Sequence, residues 1–258
     1  LEEGELTARN CEGNLRLTAR DARLLVSQWR GPAQVDSTGG TLQVERSPGS
    51  VLDLKLADAQ ASLVQGSGRT TATCTRGSFE LDGYGGPVVL KASDRTSVAT
   101  RDTSDRLDLE VTDGASVRVA DAQGPVTARV RGTPLNVERA RSLLVDARGS
   151  EVDLRGIAAL KPALLDDCRG EVDLREASGT LVLTVTRSTG LSLLLSDPCE
   201  VRAKGPGGEL GSGIDCSGCD LRLAATPPGA SRRLLGGTKR TIVALTIDEG
   251  SRLQVRGD

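Results

Sequence analysis

The sequence predicts an all-β fold, a parallel β-helix (β-solenoid) in which short strands stack as successive coils. The first observation is a duplication: the segment LLVDARGSEVDLRG at positions 143–156 recurs as ALLDDCRGEVDLRE at positions 163–176, with 7 of 14 positions identical. The second is that short apolar-x-apolar runs return about every 9 to 10 residues along nearly the whole chain. Alternation with period two is the side-chain period of a strand, so each run is expected to be one strand of a coil.

The segments between the runs are expected to be corners. They are rich in Gly, Asp, Ser and Pro, as in residues 36–40 (DSTGG) and 47–50 (SPGS), and these residue types favour tight bends. Pro87, Pro125 and Pro134 stand immediately before a run, where a missing N–H does least harm to a ladder. No window shows sustained apolar spacing of 3, 4 and 7, so helix is expected to be nearly absent, with at most a turn at residues 156–161.

The duplication predicts coils of about 20 residues, each with two runs and therefore two long faces. Three runs in a coil of about 28 residues would use the same spacing, but the duplication favours two. Stacked coils bury one side of each run, so Leu154 and Leu174 are expected to point inward while the Asp and Arg residues beside them face water.

The chain is expected to form one elongated domain over residues 1–258. Its only aromatic residues are Trp29, Phe79 and Tyr84, and it has no Met, so the core must be filled mainly by Leu, Val and Ala. Ladders of aliphatic side chains suit stacked coils. Residues 1–10, with three Glu in the first five positions, are expected to cap the stack, and residues 204–238 are expected to be irregular lateral loops.

The charge balance gives no reason to expect binding to nucleic acid. There are 33 basic and 35 acidic residues, a net charge of −2, and the basic residues are scattered. Apolar runs such as residues 193–195 are far shorter than the roughly 20 residues needed to cross a bilayer, so membrane insertion is not expected. The absence of Met suggests a processed or excised piece, and either a cytoplasmic cytoskeletal or an exported envelope location is compatible with the sequence.

Catalytic residues are not expected. The chain has no His, which removes Ser-His-Asp and Cys-His nucleophiles and His-ligated zinc. The adjacent acids Asp166 and Asp167 could in principle act as an acid and base pair on a glycosidic bond. However, Asp166 repeats Asp146 of the duplicated segment, which favours a structural corner. No cofactor or metal ligands are predicted.

The cysteines offer one possible cross-link. Cys216 and Cys219 have C-x2-C spacing, which is half of a zinc site with no matching second half. Cys199 precedes them by about one coil, so a disulfide among Cys199, Cys216 and Cys219 is the functional alternative to free, packed thiols. The Gly-rich residues 205–213 lack phosphate-loop spacing and are expected to be a flexible loop.

Two aromatic residues at corners are candidate partner contacts. Lone aromatic side chains anchor many protein interfaces, so Trp29 and Tyr84 are possible exposed contacts. The alternative is that both pack inside the amino-terminal coils.

The pattern of run, corner and run resembles the polymer-forming β-helix families, of which the bactofilin cytoskeletal proteins are the best known, and also adhesin-type β-solenoids. The resemblance lies in motifs such as residues 170–174 (GEVDL) and 179–183 (GTLVL). It implies a non-enzymatic scaffold that associates with itself or with other proteins. A cell-surface adhesion or ligand-binding module is the alternative, and a polysaccharide-active β-helix enzyme with an acid-lined groove is the second alternative.

Overall fold

The computed structural model describes residues 1–177, 180–188, 190–195, 199–204, 214–217, 220–223, 241–247 and 253–257. Beyond residue 195, the side chains described are those of Leu245 and Gln254. The described residues form strands and corners with no helix, which confirms the all-β prediction. Residues 156–161 are not helical, since they form the end of a strand, a corner and an isolated bridge.

Strands account for most of the described chain. Their bounds are β1 Glu2–Arg9, β2 Leu15–Ser27, β3 Pro32–Thr38, β4 Thr41–Glu45, β5 Val51–Ala57, β6 Gln60–Val64, β7 Thr70–Thr75, β8 Ser78–Asp82, β9 Val88–Ser93, β10 Ser97–Arg101, β11 Leu107–Thr112, β12 Ser116–Arg131, β13 Leu135–Arg148, β14 Glu151–Ile157, β15 Ala163–Asp166, β16 Arg169–Asp173, β17 Thr180–Thr186, β18 Leu191–Leu195, β19 Cys199–Lys204, β20 Ile214–Ser217, β21 Asp220–Leu223, β22 Thr241–Ile247 and β23 Leu253–Gly257.

The strands pair in parallel along two faces, which makes the protein a β-solenoid with two strands per coil. Face A runs from the first half of β2 through β3, β5, β7, β9 and β11, and face B runs from β1 through the second half of β2, β4, β6, β8 and β10. The long strands β2, β12 and β13 bend at Asp21, Asp121 and Arg139, so each contributes to both faces. The prediction of two faces rather than three is thus confirmed.

The coil is slightly shorter than the sequence duplication predicts. On face A, Leu52 pairs with Thr70 and Thr70 with Val88, so that successive coils are roughly 18 residues apart. Between Val126 and Leu143, the coil is shorter by a single residue. A coil that is one residue shorter would turn buried side chains outward if the strands themselves lost the residue. The corners therefore take up the differences in coil length, and the alternation of inward and outward side chains is kept.

The duplicated segment is offset from the structural register. Asp146 lies beside Leu164, and Arg148 beside Asp166, so strand partners on neighbouring coils are closer in sequence than the two copies of the duplication. The offset of the duplication exceeds the separation of strand partners by about two residues. A shift of this size moves a side chain along the strand but keeps it on the same side of the sheet. The repeat therefore identified inward positions correctly while giving the wrong strand partner for Asp166.

The core is a set of aliphatic columns between the two faces. In β5, Leu52, Leu54 and Leu56 are buried, whereas Asp53 and Lys55 are exposed. Leu154 and Leu174, which were predicted to point inward, are 1% and 0% exposed. Parallel pairing satisfies the backbone of each coil through its neighbours, so the interior needs only side chains that repeat from coil to coil.

Left-handed residues make the corners that follow the strands of face A. Asp58, Arg76 and Asp113 have φ of 53°, 54° and 51°, a region that costs a non-glycine residue about 1 kcal/mol or more. Each donates its backbone N–H to a carbonyl of the next coil, as from Asp58 to Thr75 at 2.8 Å and from Asp113 to Arg131 at 2.9 Å. The interstrand ladder thus continues through the corner and holds this conformation.

A column of buried hydroxyl and thiol groups follows these corners in the later coils. Ser188 accepts the N–H of Cys168 at 2.9 Å and donates to the carbonyl of Thr186 at 2.9 Å. Ser150 plays the same part in an earlier coil, accepting from Thr133 at 3.3 Å. These side chains replace the backbone partners that a turning chain cannot reach, so buried amides remain satisfied.

The two irregular regions of the sequence contribute strands to the stack. Residues 1–10 contain β1, which pairs with the second half of β2 and forms the first layer of face B. Within residues 204–238, β20 and β21 are strands that pair with β23 and β19. Residues 205–213, 218–219 and 224–238 lie outside the described residues.

We predict that Leu154→Asp lowers the free energy of unfolding by more than about 3 kcal/mol, because it places a carboxylate without a partner in the core. Val51→Asp is the matched control, since Val51 points outward and is 50% exposed. It should change stability by less than about 1 kcal/mol. Urea denaturation followed by circular dichroism measures both, and equal losses in the two variants would contradict the inward assignment.

We predict that Ser188→Ala costs about 1–3 kcal/mol, because the buried N–H of Cys168 loses its acceptor. Cys168→Ser should cost less than Ser188→Ala, because the corresponding position of other coils already holds a hydroxyl group, as at Ser150. Chemical denaturation of the two variants in parallel tests this order, and the reverse order would be inconsistent with a hydrogen-bonded column.

Candidate functional site

The predicted aromatic contacts are buried. Trp29 is 6% exposed and Tyr84 is 1% exposed, so neither presents a ring to a partner, and the packing alternative is the correct one. The hydroxyl of Tyr84 lies 2.7 Å from Oγ1 of Thr70, and burial raises the pKa of its phenol. Gly66 packs directly against the ring, since a Cβ at that position would lie 2.7 Å from a ring carbon. The burial of the two rings could not be predicted from the sequence, because a side chain at a corner can point either into the coil or towards solvent.

The aromatic content bears on ligand class. Phe79 is fully buried, so all three aromatic residues of the sequence are inside the coils. Sugars are commonly bound by stacking on exposed rings, and the chain has no ring in a position to do so.

The predicted disulfide falls outside the described side chains. Cys199 and Cys216 belong to the backbones of β19 and β20, and Cys219 lies outside the described residues altogether. Among the cysteines whose side chains are described, Cys11 is exposed and free. Cys74 and Cys168 are free and buried, and desolvation raises the pKa of both thiols.

The adjacent acids Asp166 and Asp167 take different structural parts. Asp166 ends β15 and accepts hydrogen bonds from Thr186 Oγ1 at 2.8 Å and from the guanidinium of Arg187, Nε lying at 2.8 Å. The pairing with Arg187 lowers the pKa of Asp166. Asp167 is the left-handed corner residue with φ of 54° and donates its N–H to Thr186. A general acid needs a raised pKa, so Asp166 is suited to an ion pair rather than to proton donation.

The described part of the chain lacks two features that would suggest a function. No three side chains of the His, Cys, Asp and Glu types are grouped there so as to hold a metal ion. No helix in that part has the length and apolar character to cross a membrane.

The charged side chains on the outer surfaces neutralise one another locally. Arg155 contacts Asp153 in its own strand at 2.8 Å and Glu171 in the next coil at 3.7 Å. Arg139 and Asp121 pair across one coil at the corner after face B, with Nε and Oδ1 2.5 Å apart. Other pairs of this kind are Lys91 with Glu110, Arg106 with Asp108, Arg148 with Asp146, Arg169 with Glu151, and Arg175 with Asp173.

Uncharged columns lie on both faces: on face A, Thr38, Ala57, Thr75, Ser93 and Thr112 are in register, and a second column lies on face B. We call it the polar column: Thr41, Gln60, Ser78, Ser97 and Ser116, which are in register on five successive strands from β4 to β12. All five are at least partly exposed. Adjacent parallel strands are about 4.8 Å apart, so the column presents a hydroxyl or amide at that interval over roughly 19 Å.

A shallow depression of about 420 Å³ lies over the first part of the polar column. Its polar lining includes Thr41, Gln43, Gln60, Ser62 and Ser78, with Arg23 and Glu80 among its charged residues. The amide of Gln43 is held by Glu45, to which it donates at 2.5 Å. Short side chains produce the depression, because Ser and Thr leave the strands of face B close to the surface.

Sequence reasoning did not find the polar column. The apolar runs beside it were recognised, but the column depends on which outward residues lie in register, and this requires the true length of each coil. The period of the duplicated segment would place Gln60 next to Glu80, whereas its partner in the structure is Ser78. Aligning the apolar runs coil by coil, without a fixed period, would have revealed the column.

Comparison of the chain with models of protein families, with curated proteins and with solved structures gave no match in any of the three. The class of protein is therefore defined by the fold: it is a β-solenoid repeat protein built of parallel coils roughly 18 residues apart. The β-helix repeat expected from the sequence is confirmed, and no family match links the chain to the bactofilins or to the adhesins in particular.

We predict that Arg187→Gln lowers stability at neutral pH by at most about 1 kcal/mol, as expected for an exposed ion pair. The pKa of Asp166 is depressed in the folded protein, so the stabilisation is present above its unfolded value of about 3.9 and is lost as the pH falls through the folded pKa. The difference between wild type and variant should therefore shrink below pH ~4. Denaturation at neutral pH and below pH ~4 measures the difference in stability between wild type and variant. An equal difference at the two pH values would contradict the pairing. So would an effect of Arg187→Gln that is unchanged when Asp166 is replaced by Asn.

Proposed function

We propose that the protein is a non-catalytic structural rod whose copies associate side by side through the polar column of face B. The observation that carries the proposal is the uncharged polar column together with the depression that lies over it, on the surface of a chain in which 26% of the residues are charged. Charged residues are depleted at the centre of protein interfaces, and this strip has that character.

The spacing of the column favours a second copy as the partner. Another copy presents the same groups at the same interval of about 4.8 Å, so contacts made by one coil are repeated by the next. Hydroxyl and primary amide groups both donate and accept hydrogen bonds, which allows a two-fold related surface to be complementary to itself. A partner without this repeat would match the column at only one or two coils.

Shape and charge also support lateral association. The short side chains of Ser78, Ser97 and Ser116 let a second sheet approach closely along the polar column, as face-to-face sheets do at about 10 Å. The net charge is only −2, and ion pairs such as Arg155 with Asp153 reduce the repulsion between copies at short range.

The two other functions considered for the sequence receive less support. Adhesion through residues 204–238 depends on loops that mostly lie outside the described residues. A polysaccharide-cleaving site requires two suitably placed carboxyl groups in a groove. The adjacent acids Asp166 and Asp167, which the sequence already favoured as a structural corner, give this function little support, because Asp166 is bound by Arg187 and Asp167 forms the corner.

We predict that wild-type protein self-associates over the range ~10 µM to ~1 mM and that Gln60→Arg weakens this association at least about tenfold, because an added charge is then desolvated within an uncharged strip of the interface. Light scattering as a function of concentration measures the change.

Thr71→Arg is the matched control, because Thr71 is exposed at the corresponding depth of the stack but on face A, with Asp53 and Val89 as its register partners. It should leave association unchanged. A wild-type protein that stays monomeric throughout the range, or an equal effect of the two variants, would refute lateral association through face B.

A further inference from the structure

The last coil of the sequence does not occupy the last place in the stack. We call β22 and β23 the C-terminal coil. On face A, β22 pairs with β17 on one side and with β19 on the other. On face B, β23 likewise lies between β18 and β20. The C-terminal coil is therefore inserted between two coils that follow each other directly in the sequence.

The coils on either side of the insertion have matching registers. At positions 242–246 and 253–256, a residue of the preceding coil, one of the C-terminal coil and one of the following coil are aligned, and the aligned residues are apolar at every second position. Two such triples are Leu181, Val243 and Val201 on face A, and Leu191, Leu253 and Ile214 on face B. Because the alternation is unbroken across the insertion, β17 and β19 have the register needed to pair directly when the C-terminal coil is withdrawn. We call the position between β17–β18 and β19–β20 the slot. The C-terminal coil can therefore leave or enter the slot without a shift of strand register.

The connection to the C-terminal coil is longer than its path requires. Residues 224–240 join β21 to β22. The return crosses two layers, about 10 Å, and one strand length, about 13 Å. A segment of this length spans up to roughly 56 Å when fully extended, so it is long enough to deliver the coil to the slot of a neighbouring molecule.

We propose that the C-terminal coil is exchanged between copies, so that β22 and β23 of one molecule occupy the slot of another. A C-terminal coil makes the same strand pairings in its own molecule and in another molecule. The free-energy difference between the two arrangements is therefore small apart from that of the linker, and exchange is favoured by high protein concentration. This inference goes beyond lateral association, because it uses the strand edges of β17 to β20 and not the polar column.

Cysteine cross-linking distinguishes the two placements of the coil. Position 182 in β17 is the register partner of position 244 in β22, and Val182 is 42% exposed. Neighbouring parallel strands lie about 4.8 Å apart, within the Cα separation that a disulfide spans. In a background in which Cys11, Cys199, Cys216 and Cys219 are replaced by Ser, full-length Val182→Cys and Ala244→Cys are unfolded separately, mixed, refolded together and oxidised. Only exchange between molecules brings these two positions together.

A covalent dimer on a non-reducing gel is the expected result, with a yield that rises with concentration. Mixing Val89→Cys with Ala244→Cys is the matched control, since Val89 also lies on face A but in the distant strand β9, and it should give no dimer above background. The double variant Val182→Cys/Ala244→Cys should also cross-link within single chains when refolded at low concentration.

Three results would overturn the inference. A cross-link formed only within single chains at every concentration would show that the coil stays in its own slot. If neither the mixture of single variants nor the double variant formed a cross-link, the insertion itself would be contradicted. If Val89→Cys gave as much dimer with Ala244→Cys as Val182→Cys does, the dimers would be the result of random collision. Introducing Gln60→Arg into both cysteine variants should leave the dimer yield unchanged, and this separates coil exchange from lateral association.

Discussion

The parallel hydrogen-bond ladder between coils is the constraint on which the structure depends. Each strand can satisfy its backbone only if the next coil returns to the same position one layer further on. This requirement explains why Leu107, Val126 and Leu143 align although the first two are 19 residues apart and the last two 17. It also explains why Asp58 and Arg76 accept left-handed conformations. The buried serines after the later corners serve the same purpose where the backbone itself cannot supply the partner.

The sequence was sufficient to predict the features that follow from alternation. Leu154 and Leu174 were assigned to the core because period two separates inward from outward residues, and this survives any even change in coil length. The identity of strand neighbours was not predictable in this way, since the duplication paired Asp166 with Asp146 while the structure pairs it with Arg148. Positive φ at Arg76 was also hidden, because the ladder rather than residue preference imposes it.

Long-range features lay further beyond the reach of the sequence. Val243 is the strand partner of Leu181 although the two are distant in sequence, and nothing local to either strand indicates that a later coil is inserted there. The burial of Trp29 and Tyr84 similarly depends on how neighbouring coils close over the corners. The polar column combines both kinds of information: its residue types are visible in the sequence, but their alignment depends on the coil length. The outer surface of a solenoid is thus defined by columns rather than by local motifs.

Hydrogen exchange at individual corner amides tests the continuous ladder most directly. If each coil is bonded to the next through its corners, the amides of Asp58 and Asp113 should exchange as slowly as those of the strands beside them, because they donate to carbonyls of the next coil. In a fold whose strands are joined by ordinary surface turns, these amides would exchange at rates close to those of an unstructured peptide while strand amides stayed protected. That second result would contradict the coil-upon-coil stacking described above.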